Sequence, residues 1–250
     1  MTKNDGKVLL ITGASRGIGR AVALLAGSRG YAVAVNYHLA EAEAEATAAA
    51  IRSGGGQAVA IQADVGCETE ITRLFETVDR VFGRLDGLVN NAGVAGTRGT
   101  LAELDAADME RVFRVNVFGA MLCAREAMRR MAVSRGGVGG GIVSISSQTA
   151  LFGGVGLTPY AASKAAINAF TIGFAREAAV EGVRANAVSP GVIDTAQHRG
   201  IDAERRRTLD ASLPMGRFGR AEEVAETILW LLSDASSYVS GAVIPVHGAR

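Results

Sequence analysis

Short apolar, β-branched runs alternate with longer stretches of helical spacing from one end of the chain to the other. The runs Val8–Thr12, Ala32–Asn36, Ala58–Gln62, Leu85–Asn90, Ile142–Ser146, Arg184–Ser189 and Ala242–Val246 are largely continuous in apolar character. Such runs predict strands covered on both faces, the mark of a parallel sheet. Between them, Ile18–Arg29, Ala40–Ser53, Glu68–Phe82, Asp105–Ala132, Tyr160–Glu181 and Ala221–Leu232 predict helices. Seven strands and six helices in one uninterrupted series predict an α/β fold. The expectation is a single doubly wound domain over residues 1–250, its seven-stranded parallel sheet flanked by helices on both faces. Gly136–Gly141 reads as a loop between a helix and a strand, too short for a domain boundary.

Two of the predicted helices carry little polar surface. Ala165–Ala175 has no charge, and Met109–Met121 is apolar on more than one face. A helix in an outer layer with such a surface predicts cover by a second subunit. The 250 residues, 48% hydrophobic and 20% charged, fit a globular protein with a substantial core. A net charge of +1 gives no footprint for nucleic acid or an acidic membrane surface. Cys67 and Cys123 suggest neither a disulfide framework nor a metal site. The first apolar run is too short for a signal-peptide core, and no stretch reaches the length of a membrane span. A cytoplasmic location is therefore expected.

Gly13, Gly17 and Gly19 follow the first strand and open the first helix. Glycines there allow a tight turn and bring backbone N–H groups to a pyrophosphate at a helix N-terminus. The same segment, Gly13-Ala14-Ser15-Arg16-Gly17, also spells the elbow of a serine hydrolase. That reading would need His38, His198 or His247 as partner and leaves a second cluster unexplained. The second cluster is Ser147 with Tyr160-Ala161-Ala162-Ser163-Lys164. Residues four apart on a helix share a face, so the phenol of Tyr160 and the ammonium of Lys164 can share a site. A free phenol titrates near ~10, and an adjacent cation favours its ionised form. Ser147 could hold a substrate oxygen while Tyr160 exchanges its proton.

Together these motifs resemble the short-chain dehydrogenase/reductase family, and the resemblance runs from about Lys7 to Arg250. It implies a Rossmann-type fold and hydride transfer between a nicotinamide cofactor and a carbonyl or alcohol. Glucose 1-dehydrogenases and 3-oxoacyl-carrier-protein reductases are members. The catalytic set implied is Asn116, Ser147, Tyr160 and Lys164, with Asn116 holding a water near the lysine. The thirteen-residue separation from the tyrosine favours Ser147 over Ser146. The implied cofactor site comprises Gly13, Ser15, Arg16, Gly17, Ile18 and Gly19, then Tyr37 and His38, and Asp64 and Val65 at the adenine. Asn91, Ala92 and Gly93, Tyr160 and Lys164, and Pro190, Gly191, Ile193 and Thr195 complete it. The family also builds dimers and tetramers through the two apolar helices, so a homotetramer is expected. A cofactor-sensing protein without catalysis is the alternative on the same fold.

The second strand ends Val35-Asn36-Tyr37-His38, with no acid to accept the ribose hydroxyls of NAD(H). Tyr37 stands where the family places an aspartate, and Arg16 is positioned to meet a 2′-phosphate. NADP(H) is therefore expected over NAD(H). Residues 196–214 have the length of a substrate lid. Arg205, Arg206 and Arg207 within it are either a solvated face or a grip on an anionic substrate.

Overall fold

The computed structural model describes residues 6–195 and 202–249. In chain order the first half runs β1 (Val8–Ile11), α1 (Gly17–Ser28), β2 (Ala32–Tyr37), α2 (Glu41–Ser53), β3 (Gln57–Gln62), α3 (Glu68–Phe82), β4 (Gly87–Asn90) and α4 (Ala106–Phe113). A π-helical turn, Arg114–Gly119, joins α4 to α5 (Ala120–Met131). Then follow β5 (Gly140–Ile145), α6 (Thr149–Phe152), α7 (Thr158–Ala178), β6 (Val183–Pro190), β7 (Ile193–Asp194), α8 (Ala203–Ala211), β8 (Gly219–Arg220), α9 (Ala221–Leu232) and β9 (Val243–Val246).

The main sheet has seven strands in the order β3-β2-β1-β4-β5-β6-β9, and every pairing is parallel. This is the doubly wound α/β sheet that the alternation predicts. Its inner strands are buried because each contributes side chains to both faces, while the edge strands β3 and β9 are partly exposed. On β1, Leu9 and Ile11 pack with α1, α2 and α9, through Val22, Ala48 and Ile228. Val8 and Leu10 face the other way, toward Leu74 and Phe75 of α3, Ala127 of α5 and Ala178 of α7. The chain winds from β1 outward to β3, then returns to continue from β4 toward β9. The crevice at the carboxyl ends of β1 and β4 is thus the topological switch point, where this class of sheet admits a ligand.

Three features depart from the expected elements. The predicted helix over Asp105–Ala132 is interrupted by the π-helical turn at its middle. Gly119 closes that turn against Val65, where an added Cβ would stand 2.5 Å from the Val65 carbonyl oxygen. The loop after Ser147 contains the single helical turn of α6, and the stretch leading to α9 contains α8. Finally, β7 and β8 pair as a two-stranded ribbon apart from the main sheet.

The ribbon and α8 are joined by Arg206. Its guanidinium bonds both carboxylate oxygens of Asp194, at 3.0 and 3.3 Å, and lies 3.9 Å from the centroid of the Phe218 ring. Of the expected lid, residues 196–201 and the side chain of Arg205 lie outside the described residues. Arg206 is an internal tie, and Arg207 is also engaged. Among the described residues no helix is long and apolar enough to cross a membrane.

Candidate active site

One wall of the crevice is a knot of hydrogen bonds between the turn after β1 and the end of β4. The Thr12 hydroxyl accepts from the backbone N–H groups of Asn91 and Ala92, each at 3.0 Å. The Asn91 side chain donates to the carbonyls of Thr12 and Gly13 at 2.8 and 2.9 Å. Gly13 takes a left-handed conformation, φ +61°, open to glycine without strain. Gly19, one turn into α1, lies so close to Asn91 and the Gly13 carbonyl that a side chain there would collide with both. A second anchor is Asn36, buried at the end of β2. Its oxygen accepts from Gly13 N–H at 3.2 Å, and its amide donates to the carbonyls of Ile61 and Ala63 on the β3 side. Sequence reasoning misses Asn36. The signal for it is a polar amide between Val35 and Tyr37 in an otherwise apolar strand, a group that must find partners when buried.

The result is a fixed turn feeding a helix N-terminus that no side chain caps and whose first turn holds no acid. Unpaired N–H groups and the helix dipole there suit a phosphate. A cleft of about 580 Å³ extends from this point. Of the anticipated cofactor residues, Gly13, Ser15, Arg16, Gly17, Ile18, Tyr37, His38, Asp64, Val65, Asn91, Ala92, Gly93, Tyr160, Lys164 and Thr195 line it. It runs from an uncapped helix N-terminus to a phenol–ammonium pair.

At the far end from Tyr160, Arg16 is exposed, and Tyr37 is half-buried with its hydroxyl bonded to Glu41. His38 Nε2 lies 3.9 Å from Asp64, whose other oxygen accepts from Gly66 N–H at 2.8 Å. Gly19 acts from behind the wall. Pro190, Gly191 and Ile193 do not line the cleft. Ile193 is buried and borders a separate cavity of about 120 Å³ beside Leu213 and His247. Ser15, buried in the turn, has no hydrogen bond to His38 or His247, and Nδ1 of His247 has no partner. His198 lies outside the described residues. Among the described residues no cluster of His, Cys, Asp and Glu could hold a metal ion.

The other end is built from β5, α7 and the π-helical turn. Pro159 falls in the first turn of α7, where its missing N–H costs nothing, and the helix then presents Tyr160 and Lys164 on one face. The Tyr160 hydroxyl hydrogen-bonds Ser147, whose oxygen also accepts from the Thr149 hydroxyl at 3.0 Å and the Thr149 N–H at 3.2 Å. Ser146, the competing serine, is turned away and donates to the Lys164 carbonyl. Lys164 is buried, and its ammonium donates to the Ile145 carbonyl at 2.7 Å and stands 5.7 Å from the centroid of the Tyr160 ring. The anticipated depression of the phenol by this ammonium is not found. Burial pushes the Tyr160 phenol up, against the smaller opposing effect of its Ser147 hydrogen bond.

Asn116 sits in the π-helical turn, fully buried. Its oxygen accepts from Val94 N–H at 2.8 Å, and its amide donates to the Val94 carbonyl at 2.9 Å and the Ser163 hydroxyl at 3.0 Å. The side chain therefore fastens the segment after β4 to α7. An added Cβ on Gly93 would lie 3.2 Å from the Asn116 oxygen and 3.5 Å from the Lys164 ammonium, so the two groups meet around that backbone.

Burial pulls the Lys164 ammonium down from 10.5 to about 8. Between these values the unfolded chain binds more protons at this residue than the folded one, so its contribution to stability rises with pH. Below pH 8 the whole penalty is present. The unfolding free energy of the protein minus that of Lys164→Met should therefore increase by about 3 kcal/mol from pH 8 to 10.5. Denaturant unfolding of both proteins across that range measures it, and a flat difference would show that the ammonium is not held as described.

A family model described as enoyl-(acyl carrier protein) reductase matches residues 13–248. An uncharacterized oxidoreductase of Escherichia coli, YgfF, is 44% identical over 245 residues, covering 97% of this chain and 99% of its own. The cis-4-hydroxycyclohexanecarboxylate dehydrogenase of Sinomonas cyclohexanicum is 40% identical, covering 97% and 95% respectively. The solved structure of a mutant short-chain dehydrogenase/reductase from Serratia marcescens superposes with a TM-score of 0.91 at 34% identity, over 99% of each chain. With the same sheet, and with these relatives matched along nearly their whole length, the chain belongs to the short-chain dehydrogenase/reductase family of oxidoreductases.

Proposed function

We propose that this protein transfers a hydride between NADP(H) and a carbonyl or secondary alcohol, with Tyr160 exchanging the proton. The observation that carries this reading is the meeting of Tyr160, Ser147 and Lys164 at one end of a cleft that ends at the uncapped helix α1. The bound nicotinamide supplies or accepts the hydride. Ser147 holds the substrate oxygen beside the Tyr160 hydroxyl, which its own hydrogen bond already orients. Because burial keeps the phenol protonated, Tyr160 is ready at neutral pH to donate to a carbonyl oxygen. Lys164, still largely charged at pH 7, favours the phenolate left behind. Asn116 positions the Val94 backbone beside this group rather than touching the phenol. A substrate lid over residues 196–214 is part of this reading, and among its described residues Arg206 holds α8 to the β7–β8 ribbon. The Sinomonas relative is named for a ring secondary alcohol, which agrees with the reaction type.

Removing the proton donor without disturbing its ring tests this directly. Tyr160→Phe should lower kcat by about 10²–10⁴-fold, while fluorescence titration shows cofactor binding nearly unchanged. Undiminished turnover would sink the mechanism and leave a cofactor-binding sensor.

The preference for NADP(H) rests on Arg16, exposed at the cleft and without an ion pair among the described residues, and on Tyr37 in place of an acid. A single charge-assisted contact of about 1.5–3 kcal/mol corresponds to roughly 10-fold or more in kcat/KM. Tyr37→Asp combined with Arg16→Ala should reverse the preference. Equal kcat/KM for the two cofactors in the unaltered protein counts against this assignment.

The outer faces of α5 and α7 support a homotetramer. Met121 of α5 and Ile172 of α7 are exposed, as is Phe118 of the adjoining π-helical turn, and Trp230 and Tyr238 are exposed elsewhere on the surface. Sedimentation at micromolar concentration should give about four times the mass of one chain, and a monomer would refute the reading.

A further inference from the structure

The segment that follows β4 is fastened at several points along its backbone. Val94 N–H donates to Asn116, and Thr97 N–H to Asp108 at 2.5 Å. Gly99 N–H donates to the Gly156 carbonyl at 3.2 Å, and Thr100 donates through both N–H and hydroxyl to Glu103. Asp108 is further paired with Arg111. Asp108 and Glu103 are thus committed to backbone groups and, for Asp108, to another arginine. Arg98, in the middle of this segment, is exposed and has neither a hydrogen bond nor an ion pair among the described residues.

Its position is specific. Arg98 Cγ lies 3.5 Å from where a Cβ on Gly156 would stand, so the guanidinium emerges beside the loop that runs from Ser147 to Tyr160. That loop carries three exposed apolar side chains, Leu151 and Phe152 at 71% and Val155 at 100%. Among the described residues, three arginines in α8 and the stretch before α9 are already occupied. Arg206 binds Asp194, Arg217 binds Glu223 at 2.7 and 2.9 Å, and Arg207 is engaged. An apolar rim with one unpaired, planar cation on a rigid backbone matches a ligand with an apolar body and a carboxylate.

We propose that Arg98 is a specificity-determining residue that binds a carboxylate on the substrate, set apart from the reacting carbonyl by an apolar spacer. This assignment rests on the dehydrogenase reading above and names the substrate class, a keto acid or hydroxy acid. The fixed backbone limits the ordering cost to the arginine side chain itself.

The test uses 4-oxopentanoate and 4-oxocyclohexanecarboxylate, each against its methyl ester, with the intact protein and NADPH. At least one acid should exceed its ester by about 10-fold or more in kcat/KM, chiefly through KM. In Arg98→Met, which keeps an unbranched stem, the acid-to-ester ratio should fall to near one, and Arg98→Lys should restore some of it. An acid-to-ester ratio near one in the unaltered protein, or a ratio that survives in Arg98→Met, overturns the assignment. Should none of the four compounds turn over, calorimetry on cofactor-loaded Tyr160→Phe separates the two readings. Acid binding that is lost on adding Arg98→Met supports the arginine site while the catalytic reading fails, and absence of acid binding overturns the arginine site as well.

Discussion

The rest of the site depends on the hydrogen-bond knot that ties the turn after β1 to the end of β4. These two strands diverge at the switch point, and a gap between their carboxyl ends is what the topology creates by itself. Left open, that gap would deprive the Gly13 and Thr12 carbonyls and the Ala92 N–H of the partners they have here. The Asn91 amide serves the two carbonyls, and the Thr12 hydroxyl accepts from the Ala92 N–H and shares the Asn91 N–H with the Val89 carbonyl. The geometry that results requires a glycine at 19, because Asn91 occupies the space a side chain would need. The glycines of the turn thus serve the packing of the protein against itself as much as the approach of a phosphate. Asn36 extends the same arrangement to β3, so the turn is braced from both neighbouring strands.

The electrostatics of the opposite end follow from burial. A lysine without contact to water loses affinity for its proton, and a phenol in the same surroundings holds on to its own. The two effects leave a neutral phenol next to an ammonium at neutral pH. Lys164 donates to the Ile145 carbonyl rather than to the phenol, and its ammonium stands 5.7 Å from the centroid of the Tyr160 ring. That arrangement suits a group that must be protonated before the reaction and stabilised as an anion after it. A phenol already ionised would favour only one direction.

The inner strands were legible in the sequence because they are buried on both faces, which demands largely unbroken apolar runs. The glycine turn and the Tyr160–Lys164 pair were legible because their spacing is fixed by local geometry, a turn in one case and one helical turn in the other. What escaped has a common cause. Asn36, the π-helical turn around Asn116, and the tie of Arg206 to Asp194 are all set by partners far along the chain. Helical periodicity across Asp105–Ala132 shows no break, since a π turn adds a residue without changing the apolar character of the face. The signals were polar side chains in apolar settings, Asn36 in a strand and Asn116 between two valines. Neither indicates its partner. Similarly, Ile193 belongs to the right segment, yet the sequence could not show its side chain packing into the second cavity instead of the cleft.

The distribution of arginines separates structure from recognition on the same physical ground. Arg206 and Arg217 have carboxylates within reach and lie across elements that must be held together, β7 with α8 and the Arg217 loop with α9. Each closes a contact between segments of the chain that have little apolar surface to share. Arg16 stands in the cleft and Arg98 beside the loop before α7. Neither is needed to hold its segment in place. A cation that is not required for folding, on a backbone that does not move, keeps its full capacity for an anion from outside the chain. On the proposed reading the two arginines discriminate independently, Arg16 among cofactors and Arg98 among substrates.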